Sequence, residues 1–447
     1  MHTPYLVHTP AERQAMLAAM GKQDIQELFS VIPQSLHDIT LKLPAALSEL
    51  ELTRELEALA SSNLNAGRQL SFIGAGAYRH FVPAALPTLA GRSEFLTAYT
   101  PYQAEVSQGT LQVIYEFQSA LCTLTGMDIA NASTYEGATS AAEAMTMANR
   151  ITRSKEILVA PSLHPEYREV LKTYADSLDL NLHSGHMQDG HLDLSVWEHI
   201  DKPAALMVQY PDFFGQVTDL QALADWIHAR AGLLVVIVND PVTLGLLEAP
   251  GALGADIVAG EAQAFGNGLS YGGPFLGFLT AREAHIRQMP GRMSGLTLDS
   301  DGKRAYTLVL QTREQHIRRE KATSNICTNQ GLNALVATIW LALIGKQGLQ
   351  ELAGICFQRA HYAANKITGL PGWSLAFEGP FMHEFVVTYK GELTPILDRL
   401  QQQDCLPGLA LSRWYPELDR HLLVNVTEMN AVADIDRMVE LLAAASA

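Results

Sequence analysis

The sequence predicts an α/β fold with a mostly parallel sheet, and three observations support this prediction. Short apolar segments, such as residues 233–238, alternate with amphipathic helical segments across residues 71–319. The apolar segments are continuous, which is typical of strands buried on both faces. After a long apolar helical segment at 330–344, the pattern changes to a shorter mixture of strands and helices. This change predicts a smaller α+β domain at the C-terminal end.

The N-terminal 70 residues predict a helical arm rather than a domain. Gly21, Pro33 and Pro44 separate its helical segments, which are too short to close a core on their own. The helical segments are expected at 11–20, 25–29 and 49–63. The expected domains are the arm at 1–70, the large α/β domain at 71–330, and the linking helix with the small α+β domain at 331–447.

Helices and strands follow in order through both domains. Asp219 can cap a helix whose apolar residues recur at 220, 223, 224 and 227, and Gly232 is expected to end it. A further helix is expected at 165–178. The other expected strands lie at 157–160, 180–182, 205–208 and 233–238, and the small domain is expected to contain strands at 373–377, 385–389 and 422–426 and a helix at 432–444.

Composition and charge exclude several classes of partner. The 447 residues carry a net charge of −16, which disfavours nucleic acid and anionic membranes, since both bind clustered lysine and arginine. The run 334–344 is too short to span a bilayer, and the N-terminus lacks a signal-peptide pattern. The four cysteines have neither metal-ligand nor redox spacing. We therefore expect a cytoplasmic protein with reduced cysteines.

One interval of the large domain resembles a cofactor site without its lysine. No lysine lies between Lys202 and Lys303, although Asp240 ends a buried strand there and residues 266–273 are rich in glycine. In pyridoxal-phosphate enzymes an aspartate at this position pairs with the pyridine nitrogen, and a later lysine forms the Schiff base. Asp240 followed by Pro241 is equally compatible with a simple turn at a strand end.

A dense group of polar side chains precedes an expected apolar helix. Tyr99, Tyr102, Gln103 and Glu105 lie in one loop beside Pro101. Tyr102 could stack or donate a hydrogen bond, and Glu105 could orient an amine. The alternative is a turn region with surface tyrosines.

Two segments could contact an anion. Residues 135–143 place small and hydroxyl side chains at a helix start, where Ser140 and Glu143 have capping-box spacing. Free backbone N–H groups at such a start suit a phosphate, although an ordinary cap explains the same pattern. The basic cluster from Arg313 to Lys321 is equally compatible with a solvated helix face.

Three histidines close in sequence do not predict a metal site. His183, His186 and His191 are separated by turn residues, and no fourth ligand accompanies them on a regular scaffold. We therefore expect no bound metal.

Several stretches together resemble the glycine cleavage system P-protein family. They are residues 5–13 with 28–33, the loop 99–105, Phe265 with 272–274, and the run 313–328, of which the last is the most specific. The resemblance covers essentially the whole chain. It is to the N-terminal half of the P-protein, which many bacteria encode as a separate alpha subunit.

The resemblance implies a fold, a reaction and partners. The fold would be that of fold-type-I pyridoxal-phosphate transferases, which are similar to aspartate aminotransferase, in an α2β2 assembly with a beta subunit. The reaction would be decarboxylation of glycine, with transfer of the aminomethyl group to the lipoyl arm of the H-protein. Pyridoxal phosphate would be bound by the beta subunit. Aligning the Gly-Gly-Pro turns without gaps places Gln263 of this chain, or an immediate neighbour, where the Schiff-base lysine would stand.

The resemblance also implies site residues, and two other classes of function remain open. The residues expected to line the glycine and lipoyl pocket are Tyr99, Tyr102, Gln103 and Glu105. Those expected to reach the phosphate of the partner's cofactor are Thr323, Ser324 and Asn325. One alternative is a non-catalytic structural or regulatory subunit with a vestigial pocket. The other is an enzyme that acts alone through a displaced lysine, Lys303 or Lys321.

Overall fold

A computed structural model describes residues 7–37, 42–95, 99–188 and 190–446. The chain forms two compact units, residues 1–65 and 66–447. The first unit contains helices α1 (Pro10–Ala19) and α2 (Glu49–Ser61) and two 3-10 helices, Ile25–Phe29 and Gln34–Leu36. Both α-helices begin with a capping box, formed by Thr9 with Glu12 and by Ser48 with Glu51. Of the N-terminal stretch that resembles the P-protein, residues 5 and 6 lie outside the described residues.

The second unit contains the remaining helices and all the strands that the structure describes. Its α-helices are α3 (Ala85–Ala90), α4 (Gln108–Thr125), α5 (Gly137–Thr152), α6 (Pro165–Leu178), α7 (Leu220–His228), α8 (Gln315–Arg318), α9 (Gly331–Thr368), α10 (Thr394–Gln401) and α11 (Val432–Ser446). Its strands are β1 (Leu70–Ser71), β2 (Ile129–Ala130), β3 (Glu156–Val159), β4 (Asn181–Ser184), β5 (His186–Gln188), β6 (His191–Asp193), β7 (Ala205–Gln209), β8 (Leu233–Val238), β9 (Ile257–Glu261), β10 (Gly277–Ala281), β11 (Ser294–Leu298), β12 (Arg304–Leu308), β13 (Trp373–Leu375), β14 (Glu384–Tyr389), β15 (Cys405–Leu406), β16 (Leu409–Ala410) and β17 (His421–Asn425). Its 3-10 helices are Ser93–Phe95, Ala104–Val106, Leu194–Trp197, Pro241–Gly245, Glu283–Gln288, Gln311–Arg313, Arg319–Lys321, Leu411–Arg413 and Pro416–Leu418.

The large sheet is mostly parallel, as the continuous apolar strands predict. Within the described residues its order is β2-β10-β9-β8-β7-β3-β4; β10 pairs antiparallel with β2 and β9, and the other pairs are parallel. Alternate residues of β8 enter two different cores. Val236 packs in the core that contains Trp340 of α9, whereas Val235 and Ile237 pack in the core that contains Met145 of α5. Helices therefore cover both faces of the sheet.

Helix α7 begins as predicted but ends differently. The Asp219 side chain accepts a hydrogen bond from the backbone N–H of Ala222. The helix ends at His228, and Ala231, rather than Gly232, adopts a left-handed backbone with φ of 58°. Glycine is needed at 232 for space, because a Cβ there would lie 2.8 Å from the carbonyl oxygen of Pro203.

Helix α9 is much longer than the predicted helix at 330–344. It continues to Thr368 across a break at Gly345, whose φ of 66° and ψ of 179° favour glycine. Its first part carries Trp340, which stacks on Phe265 in the core of the large sheet. Its second part carries Ile367 in the core of the small domain. By length and composition α9 could cross a membrane, and it contributes side chains to two cores.

The small domain is built on an antiparallel sheet with the order β13-β14-β17-β16. Helices α10, α11 and the second part of α9 contribute to its core. Strand β1 pairs with β15, so residues at the predicted boundary of the large domain contact the small domain. The predicted domain boundaries stay predictions.

Candidate functional site

Asp240 lies at the carboxyl end of β8, where parallel sheets bind ligands, but its carboxylate is already paired. Its Oδ2 lies 2.9 Å from Nε2 of His80 and 3.0 Å from Nε2 of His383. The contact with His80 is a hydrogen bond, whereas that with His383 is at ion-pair distance only. All three side chains are buried. Burial opposes ionisation, but His80 and His383 hold the pKa of Asp240 below its usual range.

His80 connects two carboxylates. Its second nitrogen, Nδ1, lies 2.8 Å from Oε2 of Glu428. Both ring nitrogens therefore need a proton to donate, which requires the imidazolium form. Burial opposes that form, but Asp240 raises the pKa of His80 well above its usual value. The thiol of Cys356 lies 3.3 Å from the same Oε2 of Glu428. His80, Cys356 and Glu428 thus have metal-ligand chemistry, but each is engaged in this hydrogen-bonded network.

Gln263 follows strand β9, and its carboxamide bonds two backbone groups. Its Oε1 accepts from the N–H of Tyr78 at 3.1 Å, and its Nε2 donates to the carbonyl oxygen of Asn267 at 2.6 Å. The hydroxyl of Tyr78 donates to Oε2 of Glu384 at 2.6 Å. Gln263, Tyr78 and Glu384 are buried. The side chain at the expected lysine position therefore contributes to packing.

The start of helix α5 holds carboxylates of the chain itself. The N–H of Gly137 donates to Oε2 of Glu261 at 2.9 Å, and Glu136 caps the helix by accepting from the N–H of Thr139. Burial raises the pKa of Glu261 to about 7, against three backbone donors that favour its charged form. The predicted capping box of Ser140 and Glu143 is wrong, because the helix begins earlier. Glu261 thus lies where a phosphate would accept from Gly137.

The predicted tyrosine loop lines an open cavity of about 610 Å³. Tyr99, Tyr102 and Gln103 line it, whereas Glu105 is exposed outside the lining. Tyr99 is 92% exposed and Tyr102 is 51% exposed, so the two phenols are accessible from solvent. Exposed Cys327 also lines this cavity.

Sequence reasoning missed Arg292, which lines the same cavity. Its Nη2 donates to the hydroxyl of Tyr102 at 3.3 Å, and its Nη1 donates to Oδ1 of Asn329 at 3.5 Å. The guanidinium also lies over the Tyr102 ring, 5.5 Å from the centroid. Arg292 is separated from Tyr102 by 190 residues and follows Pro290-Gly291 in a loop. In the sequence, only the Pro290-Gly291 turn that precedes Arg292 could have drawn attention to it.

The predicted phosphate contacts lie in a different cavity, of about 800 Å³. Thr323, Ser324 and Asn325 line it together with Glu143 and Arg150. The Ser324 hydroxyl donates to Oε1 of buried Glu143 at 2.8 Å, and burial raises the pKa of Glu143. The structure therefore does not bring these three residues into one cavity with the tyrosine loop.

Among the histidines and the basic cluster, His183 and Arg313 have structural contacts. His183 hydrogen-bonds Oε2 of Glu156 at 2.5 Å, and His186 and His191 lie on the paired strands β5 and β6. Asp189, one of the turn residues between them, lies outside the described residues. Arg313, the first residue of the basic cluster, is buried and donates to backbone carbonyl oxygens.

Comparisons with known proteins agree over the whole chain. The sequence profile described as Glycine cleavage system P-protein matches residues 3–442. The chain is 50% identical over 440 residues to the probable glycine dehydrogenase (decarboxylating) subunit 1 of Desulfitobacterium hafniense, in a match that covers 97% of this chain and 98% of that protein. The crystal structure of glycine decarboxylase (P-protein) of the glycine cleavage system, in inhibitor-bound form, matches at 37% identity and a TM-score of 0.92. That match covers 99% of this chain and 100% of the other.

This chain belongs to the glycine cleavage system P-protein family. The resemblance inferred from the sequence motifs is therefore confirmed. The predicted fold is confirmed as well, since the solved P-protein and more distant fold-type-I enzymes have the same architecture. Among the latter, the glutamate decarboxylase of Lactobacillus brevis matches at 14% identity and a TM-score of 0.67, over 95% of this chain and 96% of that one.

The strand-end site of this P-protein chain does not fit pyridoxal phosphate. The cavity beside Asp240 measures about 10 Å³, close to the space of one water, whereas ligand pockets measure roughly 300–1,000 Å³. Asp240 is paired with His80 and His383, and Glu261 accepts from Gly137. The two carboxylates nearest to this site, Asp240 and Glu261, therefore already interact with other parts of the chain.

Proposed function

We propose that this chain is the alpha subunit of glycine decarboxylase. With a beta subunit it decarboxylates glycine and transfers the aminomethyl group to the lipoyl arm of the H-protein. The family supports the reaction. One structural observation supports the division of labour: the strand-end site is closed, while the tyrosine loop lines an open cavity of about 610 Å³. Such a chain needs a partner for its cofactor and can supply one wall of a shared site.

The partner in this proposal binds pyridoxal phosphate through its own lysine. The cofactor supplies an electron sink for the carbon that loses carbon dioxide. This chain contributes Tyr99, Tyr102 and Gln103 to the wall of the glycine and lipoyl pocket. Tyr102 is half-exposed, and its hydroxyl accepts a hydrogen bond from Arg292 and can donate another. The proposed assembly is α2β2 and cytoplasmic.

Two proposed roles depend on contacts with the partner subunit. Glu105 is exposed and negatively charged, so it can orient the amino group of glycine only when the partner closes over it. Thr323, Ser324 and Asn325 are proposed to reach the phosphate of the partner's cofactor. For Ser324 this contact replaces its hydrogen bond to Glu143.

Reconstitution tests the proposal. The purified chain is mixed with its beta subunit, and exchange of labelled carbon dioxide into the carboxyl group of glycine is measured with lipoylated H-protein. We expect exchange from the mixture and none from either chain alone. Exchange by this chain alone would contradict the proposal and favour an enzyme with a displaced lysine, Lys303 or Lys321.

Two substitutions distinguish a catalytic contribution from a structural one. Tyr102→Phe and Glu105→Gln each remove one polar function from a residue that the structure leaves accessible. We expect each to lower turnover by about tenfold or more in a complex that still assembles. Unchanged turnover for both variants would favour a structural or regulatory subunit.

A further inference from the structure

Arg292 is a buried cation that has no ion-pair partner among the residues the structure describes. The residue is only 7% exposed, yet within the described residues no carboxylate lies at ion-pair distance from its guanidinium. Glu314 interacts with it only from beyond that distance. A guanidinium has five N–H donors, and Arg292 uses two of them in long hydrogen bonds of 3.3 and 3.5 Å to Tyr102 and Asn329, which are both neutral. Burying a charge without a close counter-charge is unfavourable.

Arg313 is a buried arginine that supports the fold, and its partners can be compared with those of Arg292. It is 6% exposed, almost the same as Arg292. Its guanidinium donates to the carbonyl oxygens of Leu310 at 3.2 Å, of Gly291 at 3.1 Å and of Met289, and Glu314 lies 3.8 Å away. The fold thus supplies Arg313 with close acceptors and a counter-charge, which the neighbouring Arg292 lacks.

Arg292 also borders empty space. It lines the cavity of about 610 Å³ that the exposed phenols of Tyr99 and Tyr102 line as well. An anion can therefore reach it from outside without rearrangement of the core. Arginine binds carboxylate and phosphate groups in planar, two-pronged geometry, which suits its unused donors.

We infer that Arg292 is an oxyanion-binding residue in the wall of this cavity. The ligand is a carboxylate or a phosphate of a small molecule that enters past Tyr99 and Tyr102. In the complex, two sources offer this chemistry: the carboxylate of glycine and the phosphate of the partner's cofactor. This part of the inference rests on the proposed function. Tyr102 then orients the guanidinium through the hydrogen bond between them.

Anion binding by the isolated chain provides the first test and does not depend on the proposed function. Thermal unfolding is measured in chloride and in acetate or phosphate at equal ionic strength. The wild type is compared with Arg292→Gln, with Arg292→Lys, and with Arg287→Gln as a control that removes an exposed positive charge nearby. We expect acetate or phosphate to raise the Tm of the wild type and of Arg287→Gln but not of Arg292→Gln, because ligands that bind the folded state stabilise it.

Equal increases in the wild type and Arg292→Gln would overturn the inference, as would no increase in the wild type. Arg292→Lys retains the charge and supports the inference if it recovers part of the increase. If Arg292→Gln does not fold, the comparison of Arg292→Lys with the wild type decides, since lysine lacks the two-pronged geometry and should bind the anion more weakly.

The complex with the beta subunit identifies the source of the anion. For Arg292→Lys we measure the KM for glycine and, separately, the Kd of the complex for pyridoxal phosphate by absorbance. A KM raised about tenfold with unchanged Kd assigns the glycine carboxylate, and the reverse assigns the phosphate. If neither changes, the inference is wrong. If the wild-type complex is inactive but the isolated chain still binds anions through Arg292, the proposed function fails and the inference stands.

Discussion

Gln263 is buried beside Tyr78, and both ends of its carboxamide bond backbone groups. Restoring a lysine at this position should therefore not restore cofactor binding. For Gln263→Lys we expect no cofactor trapped by borohydride on the isolated chain. We also expect an unfolding free energy lower by about 1–3 kcal/mol, since two buried hydrogen bonds are lost. Denaturant unfolding and mass spectrometry measure the two effects.

Gln347→Lys is the matched control, because Gln347 is exposed on α9 and its substitution introduces the same charge. It should leave stability nearly unchanged, within about 0.5 kcal/mol. Cofactor trapped on the introduced lysine of Gln263→Lys would show that the strand-end site is open to pyridoxal phosphate and would contradict the closed site.

His80 should remain an imidazolium well above the pH at which an ordinary histidine loses its proton. Because its folded pKa is raised, its contribution to stability is present below about pH 6.5 and is lost as pH rises through the folded pKa. Asp240 has the opposite dependence, since its lowered pKa gives stability above about pH 3.9 that is lost as pH falls. Nitrogen-15 NMR of labelled histidine should show both His80 nitrogens protonated at about pH 8, well above the ordinary histidine pKa. A neutral ring at that pH would contradict the pairing of His80 with two carboxylates.

Helix α5 begins where three parts of the chain meet, so its first residue tolerates no side chain. A Cβ at Gly137 would lie 2.1 Å from the hydroxyl oxygen of Tyr167 and 3.0 Å from Cβ of Glu261. Gly137→Ala should lower the unfolding free energy by about 1–3 kcal/mol through overpacking. Removing the hydroxyl in a double variant with Tyr167→Phe should recover part of the loss.

Gly109→Ala in helix α4 is the control, because no atom of the described residues lies within 4 Å of a Cβ built there. This substitution should be neutral or stabilising by up to about 1 kcal/mol. Chemical denaturation of these variants and the wild type measures the differences. If Gly137→Ala were as stable as the wild type, the helix start would have room for a ligand, against the packing described.

At the scale of elements, sequence patterns predicted helices and strands where local signals are strong. Helix α6 has the predicted bounds, and Asp219 caps α7 as expected. The start of α5 could not be predicted, because Gly137 bonds Glu261, which lies 124 residues later. The second part of α9 was missed because the break at Gly345 interrupts the apolar pattern without ending the helix.

At the scale of the whole molecule, sequence motifs identified the family; the role they gave to the loop of Tyr99 to Glu105 stays a prediction. They could not show that Asp240 is closed off, since its partners His80 and His383 come from distant parts of the chain. Arg292 was missed for the same reason, because its burial, with no close counter-charge in the described part of the chain, emerges only on folding. The lysine-free interval indicated that no Schiff base forms there. In the structure, the cavity beside Asp240 measures only about 10 Å³.

The central claim is that this chain forms part of a shared site while its partner binds the cofactor. The most direct measurement is reduction of the assembled alpha–beta complex with tritiated borohydride in the presence of pyridoxal phosphate, followed by separation of the two chains. We predict that the label is found on a lysine of the beta chain and is absent from this chain. Label on Lys303, Lys321 or any other lysine of this chain would contradict the account.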